Sequence, residues 1–423
     1  MLDHEFRQIL NDEIHGRPGL TVHAPARITH LAFTVTPADT DPLLRVAKLC
    51  DSFGVKPPVE GARHHNVELA TSLFKYERHG EFYRISITSQ NSSSKQEAIS
   101  TLPLGWLDEL PGKRLVAIHT EIMSKSMKAP TPAYLKKYFG NDDLAGSYVS
   151  HKRAALWTDF KIGRDGYTRI LIHDLGLPPL SLGRVTRRIH EIETYRMMAL
   201  LTFPVALDLQ RRLGALEKSL AKTIEGMLSA NHVDHDANLL ASLSTTARDV
   251  EEMSNSSSFR FAAARAYSAL VAKRIAELGE ERAENCQRIG VFLDRRFSPA
   301  MNTCNAVAER VADLGRRSER ASNLLRTRVD IALEGQNQKL LRSMESRARQ
   351  QLMLQETVEG ISVVAISYYL FNILAKFVEG ATKHFMGDAA KFPEWTLIPV
   401  VVLLVWWGIR RLKHRIRKSM PET

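Results

Sequence analysis

Two apolar segments near the C-terminus, Val358–Leu374 (VEGISVVAISYYLFNIL) and Trp395–Ile409 (WTLIPVVVLLVWWGI), constrain this chain more than any other feature. Neither carries a Lys, Arg or Asp, and the one acid, Glu359, stands at an end. A helix rises about 1.5 Å per residue, so a hydrocarbon layer of about 30 Å takes about 20 residues. Each segment is shorter than that, and Phe377, Val378, Phe392 and Pro393 complete the expected spans. Trp395, Trp406 and Trp407 near the ends of the second segment, with Arg410 and Arg411 following at once, fit an interfacial aromatic belt and a charged stop. The expectation is a two-helix transmembrane hairpin, with helices over 358–377 and 392–409, a short outer loop over 378–391 and a basic tail over 410–423.

Positive charge sets the expected orientation. Arg410, Arg411, Lys413, Arg415, Arg417 and Lys418 follow the second segment, and Arg342, Arg347 and Arg349 precede the first. Between them, Lys376, Lys383 and Lys391 are offset by Glu379, Asp388 and Glu394. The positive-inside rule then places both termini in the cytoplasm, with the membrane crossed more than once. The opening MLDHEFRQILNDE has no apolar stretch, so the front of the chain is expected to stay cytosolic. A net charge of +11 and a pI near 9.5 are concentrated toward the stalk and tail, where membrane lipids are the expected partner. Zinc-finger spacing and aromatic-interleaved basic strands are missing, which argues against nucleic acid. Cys50, Cys286 and Cys304 are odd in number and scattered, as reduced thiols are.

Residues 1–180 read as an α+β domain built from a duplicated β-α-β-β unit. A strand at Ile28–Thr36 precedes a helix capped by Asp41, opened by Pro42 and closed by Gly54. A hairpin turning at His79–Gly80 follows. The second pass has a strand at Arg114–Ile122, a helix with Thr131, Pro132 and Gly140 in the same roles, and a hairpin turning at Asp165–Gly166. Gly54 and Gly140 lie 86 positions apart, and Arg84 and Arg169 lie 85 apart. Such spacing predicts two copies sharing one mixed or antiparallel sheet. Residues 181–357 read as helix throughout, with interruptions expected at Asn231–Asp236 and Asn255–Ser258. The last helix starts near Ser298–Pro299 and forms a coiled-coil stalk through Leu325, Val329, Leu333, Leu340, Met344, Ala348 and Leu352.

Catalytic motifs are missing: there is no phosphate loop, no dinucleotide fingerprint and no Cys pair at zinc spacing. Asp12, Glu13 and His15 form a candidate ligand or metal cluster, and His232, Asp234, His235 and Asp236 a further one. Glu77, His79 and Glu81 crowd a turn expected to be solvated. Within the first span, Ile361, Ala365, Tyr368 and Asn372 share a face, which is the candidate pore lining. No enzyme activity and no cofactor are expected.

NDEIHGRP, KYERHGEF, TDFKIGRDGYTR, RRIHEIETYRMMALL, RVDIALEGQNQKLLRSMESRARQQLMLQETVEGISVVAISYY and IPVVVLLVWWGIRR resemble an uncharacterised bacterial family of predicted membrane-anchored proteins. The resemblance covers nearly the whole chain and implies a C-terminal anchor, with no catalytic residues to carry over. In plan the chain is also similar to CorA-type metal-ion channels, and FPEWTLIPVVVLLVWWGIRR is similar to that family's second span. It departs at that family's Gly-Met-Asn signature, because Tyr369-Leu370-Phe371-Asn372 offers only Asn372. This likeness implies a homo-oligomer, a pentamer in that family, conducting a divalent cation. The alternative expectation is a membrane-anchored binding or scaffold module that transports nothing.

Overall fold

The computed structural model describes residues 3–8, 11, 19–90, 96–229, 233–283, 286–385, 395 and 397–419. By its contacts the chain divides into a unit over Met1–Asn323 and a second over Leu324–Thr423.

Alternating apolar and polar residues build the strands of the first unit. They are β1 (Ala26–Thr34), β2 (His64–Leu69), β3 (Ser72–Arg78), β4 (Phe82–Gln90), β5 (Lys113–Met123), β6 (Ala145–Val149), β7 (Ala154–Ile162), β8 (Thr168–Asp174) and β9 (Glu281–Arg282). All join one sheet in the order β2-β3-β4-β1-β5-β8-β7-β6-β9. Neighbours run antiparallel except β5 and β8, which are parallel.

Helix α1 (Pro42–Ser52) follows β1, and helix α2 (Pro132–Phe139) follows β5. Their ends form where the caps predict. The Asp41 carboxylate accepts from Leu43 N–H at 3.1 Å, and the Thr131 hydroxyl accepts from Tyr134 N–H at 3.2 Å. Gly140, at φ 75°, takes the left-handed closing position. Both hairpin turns also stand as expected, between β3 and β4 and between β7 and β8.

The repeat appears in element order, each half running strand, helix and three strands, and the halves meet at β1 and β5 in symmetric order within one mixed sheet. Each half contains one strand more than the expected unit, and the strand directions differ, since β1 is antiparallel to β4 but β5 is parallel to β8. Connection length explains this. Residues 53–63 are long enough to bring the chain back to the end of the sheet it had just left, whereas the short segment 140–144 enters β6 directly after α2. The similar spacing thus reports a repeat of element order and strand order, with the three later strands reversed relative to the first in one half.

One sheet face carries two apolar clusters. Leu31 and Phe33 pack with Leu43 and Val46 of α1, while Leu171 and Trp157 pack with Leu135 of α2. The helices that follow are α3 (Pro179–Leu200), α4 (Thr202–Ser229), α5 (Val233–Leu278), α6 (Ile289–Arg296) and α7 (Ser298–Phe385). The bend expected at Asn255–Ser258 is missing. Ser256 and Ser257 donate to the carbonyls of Glu252 and Met253 in their own helix, at 2.8 and 2.6 Å, and α5 continues. The two-residue β9 adds a strand where only helix was expected. It pairs Arg282 with Ser147 on the sheet edge. In α7 the buried stripe runs through Met301, Cys304, Val307, Val311, Leu314, Ser318, Ala321 and Leu325, and ends there.

Residues 19–22 strap onto α3. Val22 N–H donates to the Pro179 carbonyl at 3.1 Å, and a Cβ on Gly183 would stand 1.7 Å from the Leu20 carbonyl oxygen. Gly183→Ala must therefore displace backbone. It is expected to lower stability by about 1–3 kcal/mol and to hasten proteolysis near Leu20. Thermal unfolding and a protease time course check this, and wild-type behaviour in both would refute the strap.

A buried charge cluster joins the sheet to α3 and α5. Glu77 accepts from Arg84 Nε at 2.6 Å and pairs with Lys75 at 3.2 Å. Arg84 reaches Glu191 at 3.4 Å, and Glu191 also pairs with Arg274. Burial pushes the Glu77 carboxyl up, but Arg84 and Lys75 outweigh it and hold it at about 2. The imidazoles of His30 and His190 stack beside this cluster with centroids 4.7 Å apart. His30 bonds Ser86 at 2.8 Å and Thr194 at 3.2 Å, and His190 bonds Thr120 at 2.7 Å. Burial drives both imidazoles down, His190 to about 3 and His30 well below its ordinary range.

In the second unit α7 continues to Phe385 and α8 covers Leu397–Ser419. The described residues do not form the two-helix hairpin expected from the sequence. Val358–Leu374 is no separate element but the far part of an 88-residue helix, in which Gly335 and Gly360 interrupt nothing. Among the described residues, α7 is the one helix long and apolar enough to cross a membrane.

Candidate functional site

Between the two apolar clusters, on the face shared by α1 and α2, lies a strip of polar side chains. It arises from period-2 alternation, because residues two apart on a strand share a face. Arg27 of β1 stands opposite Glu121 of β5, and Thr29 opposite His119. His119 in turn stands opposite Arg169 of β8. Glu97 enters from just before a short 3-10 helix, Ala98–Thr101.

The groups interlock. Arg27 reaches Glu97 at 3.3 Å and Glu121 at 3.2 Å, so one guanidinium bridges two carboxylates. His119 Nδ1 bonds the Thr29 hydroxyl at 3.0 Å and lies 3.6 Å from Glu97. Its ring stacks on Tyr167 at 3.9 Å, with the Arg114 guanidinium 5.4 Å from the centre of the Tyr167 ring. Arg169 is held by Asp165 at 2.6 Å.

The strip is sunk but reachable. The His119 side chain is 7% exposed, whereas Glu97 is 32% and Arg169 34% exposed. Burial raises the Glu97 carboxyl against the pull of Arg27, and burial lowers His119 to about 4. At neutral pH the imidazole is therefore uncharged, and its ring nitrogens can take part in neutral hydrogen bonds. Carboxylates with guanidinium groups beside them can hold a polar ligand that both donates and accepts. A reachable cluster of shifted groups is the kind of place where binding and proton transfer occur.

Sequence reasoning missed this strip. Its signal was charge at alternate positions of a strand, His119 and Glu121 within RLVAIHTEI. Without the pairing of β1, β5 and β8 nothing connected that strand to Arg27 or Arg169.

The residues singled out from the sequence fall elsewhere. Asp12, Glu13, His15 and His232 lie outside the described residues, as do the side chains of Asp234, His235 and Asp236. Glu77, expected in a solvated turn, is 4% exposed inside the charge cluster, because this face of the hairpin packs against α3 and α5. Glu81, also at that turn, pairs with Arg260 of α5 at 2.7 Å. Ile361, Ala365 and Tyr368 are exposed along α7, and Asn372 beside them donates its amide to the Tyr368 carbonyl at 3.1 Å. Trp395, Trp406 and Trp407 are exposed. Arg410 lies over Trp406 and Arg411 over Trp407, each 4.9 Å from the ring centre. Cys50, Cys286 and Cys304 are free thiols.

No curated protein and no solved structure matches this chain, and nothing supports the likeness in plan to CorA-type channels. One family model does match, over residues 2–416. The chain belongs to that family, described as a protein of unknown function, DUF3422.

Proposed function

We propose that this chain is a membrane-attached binding module: the apolar end of α7 fixes it to a bilayer, and the Arg27–Glu97–His119 strip takes up a polar ligand. The exposed apolar surface of α7 carries the reading. Val358, Ile361, Val364, Ile366, Tyr369, Ile373 and Phe377 are each more than half exposed, along a stretch of helix in which Glu359 and Lys376 are the charged residues. So large a patch needs lipid or protein to cover it. In this reading α8 is a second crossing of a bacterial inner membrane. The termini stay cytoplasmic, and the Trp406–Arg410 and Trp407–Arg411 pairs lie at the headgroups.

A cation-conducting homo-oligomer is less well supported. Ile361, Ala365, Tyr368 and Asn372 bring no carboxylate, and the Asn372 amide oxygen and Tyr368 hydroxyl are the side-chain oxygens on that face to replace an ion's hydration shell. The test is flotation of full-length protein with liposomes. Wild type should float with the vesicles. A Val364→Arg, Ile366→Arg double variant should be largely lost from them, since each charge at a helix centre costs about 2.5–3.5 kcal/mol of insertion. Protein that stays unbound without detergent, wild type and variant alike, would end the proposal.

A further inference from the structure

Inside the charge cluster a cavity of about 30 Å³ is left between β3, β4 and α3, lined among others by Lys75, Glu77, Arg84, Ser86 and Arg187. One of its polar atoms, Arg187 Nε, is a buried donor with no hydrogen-bond partner among the described residues. Glu77 Oε1, on a side chain 6% exposed, is held by Lys75 Nζ at 3.2 Å. Arg187 Nε approaches Glu191 at 3.7 Å, too far for a hydrogen bond. Glu191 is already shared with Arg84 and Arg274, and Glu77 is shared between Lys75 and Arg84. Two carboxylates thus serve four cations, with Glu277 taking a second nitrogen of Arg274. The lining itself carries three cations against one carboxylate. Buried charge must be balanced or neutralised.

We propose that this cavity is a binding site for a small monovalent anion of halide size, seated between Lys75, Arg84 and Arg187. Size selects the class. The volume admits one or two water-sized particles, which suits a halide with one water and excludes phosphate or sulfate. The water has a place too, since it can donate to Glu77 Oε1, which an anion cannot approach. The anion accepts from Arg187 Nε and offsets the excess positive charge. It thereby ties strands β3 and β4 to α3, fastening the sheet to its helical layer.

The experiment is thermal unfolding of the full chain in nanodiscs, in sodium bromide or sodium gluconate at equal ionic strength. With bromide at about ten times its dissociation constant, the midpoint should stand about 2–4 °C above that in gluconate. Arg187→Gln removes the unpaired donor at a side chain that is 35% exposed, so the fold should survive. Its midpoint should be the same in both salts. Anomalous scattering from bromide gives a reading independent of stability, with one peak expected beside Arg187. Equal midpoints for the wild type in both salts, with no bromide peak, would mean that the cavity holds water alone. A bromide-specific rise that persists in Arg187→Gln would place the anion elsewhere and equally overturn the assignment.

Discussion

Glu191→Ala is expected to lower the unfolding free energy by about 3–5 kcal/mol, the largest single-residue loss in the first unit. The carboxylate is 3% exposed and stands among the guanidinium groups of Arg84, Arg187 and Arg274. Its removal leaves those cations buried or half-buried with too little negative charge, and that uncompensated charge, not a lost contact, dominates the penalty. The contrast is Glu109→Ala. Glu109 pairs with Arg45, but its side chain is 58% exposed, and exposed pairs contribute about 0–1 kcal/mol. Urea unfolding of the full chain, followed by near-ultraviolet dichroism, checks both. A Glu191 loss no greater than that of Glu109 would show that the cluster does not hold the helices to the sheet.

The second large effect is acid lability. His30 and His190 are buried and uncharged, with proton affinities lowered by burial. In the unfolded chain they take up a proton near pH 6.5, so stability is complete above that value and declines as pH falls. Each contributes about 1.4 kcal/mol per pH unit, or about 2.7 together, until His190 itself protonates near pH 3. His119 acts in the same sense, and so does Glu77 at still lower pH. Glu97, raised by burial, opposes them as a single group. Thermal midpoints measured between pH 7 and 4.5 should therefore fall steeply, and His190→Gln should remove one proton's share of the slope, about 1.4 kcal/mol per pH unit. A midpoint that is flat between pH 7 and 5 would contradict the buried pair.

Much of the local structure was legible because its causes are local. Asp41–Pro42 and Thr131–Pro132 mark helix starts through side-chain caps and a fixed φ, and His79–Gly80 and Asp165–Gly166 mark tight turns. The same logic failed at Asn255–Ser258, where the serines bond back into α5 and the helix passes through. Nothing local marks the irregularity inside β7, where a register shift after Thr158 and a left-handed Phe160 let that ring stack on Phe292 of α6 at 5.3 Å. A bulge of this kind is set by the partner strand and the helix behind it.

The polar sites were hidden for a related reason. In RRIHEIETYR the residues His190, Glu191, Glu193 and Thr194 look like the wet side of an amphipathic helix, yet all are buried. Glu191 finds Arg84 more than a hundred positions earlier and Arg274 some eighty later, and His190 finds Thr120 seventy earlier. No periodicity within one segment reports such a match.

Local causes were enough for the elements that end where a cap or turn residue stands, for the single long helix after Pro299 and for the apolar character of its far part. These depend on interactions within a few residues or on transfer from water, which composition alone sets. It took the folded chain to set that β5 and β8 run parallel, that the strip of Arg27, Glu97, His119 and Arg169 converges between two apolar clusters, and that charged residues from β3, β4, α3 and α5 meet in one buried cluster. Those outcomes depend on which distant strands and helices find each other, and the free energy that selects them comes from pairing and burial across the whole sheet.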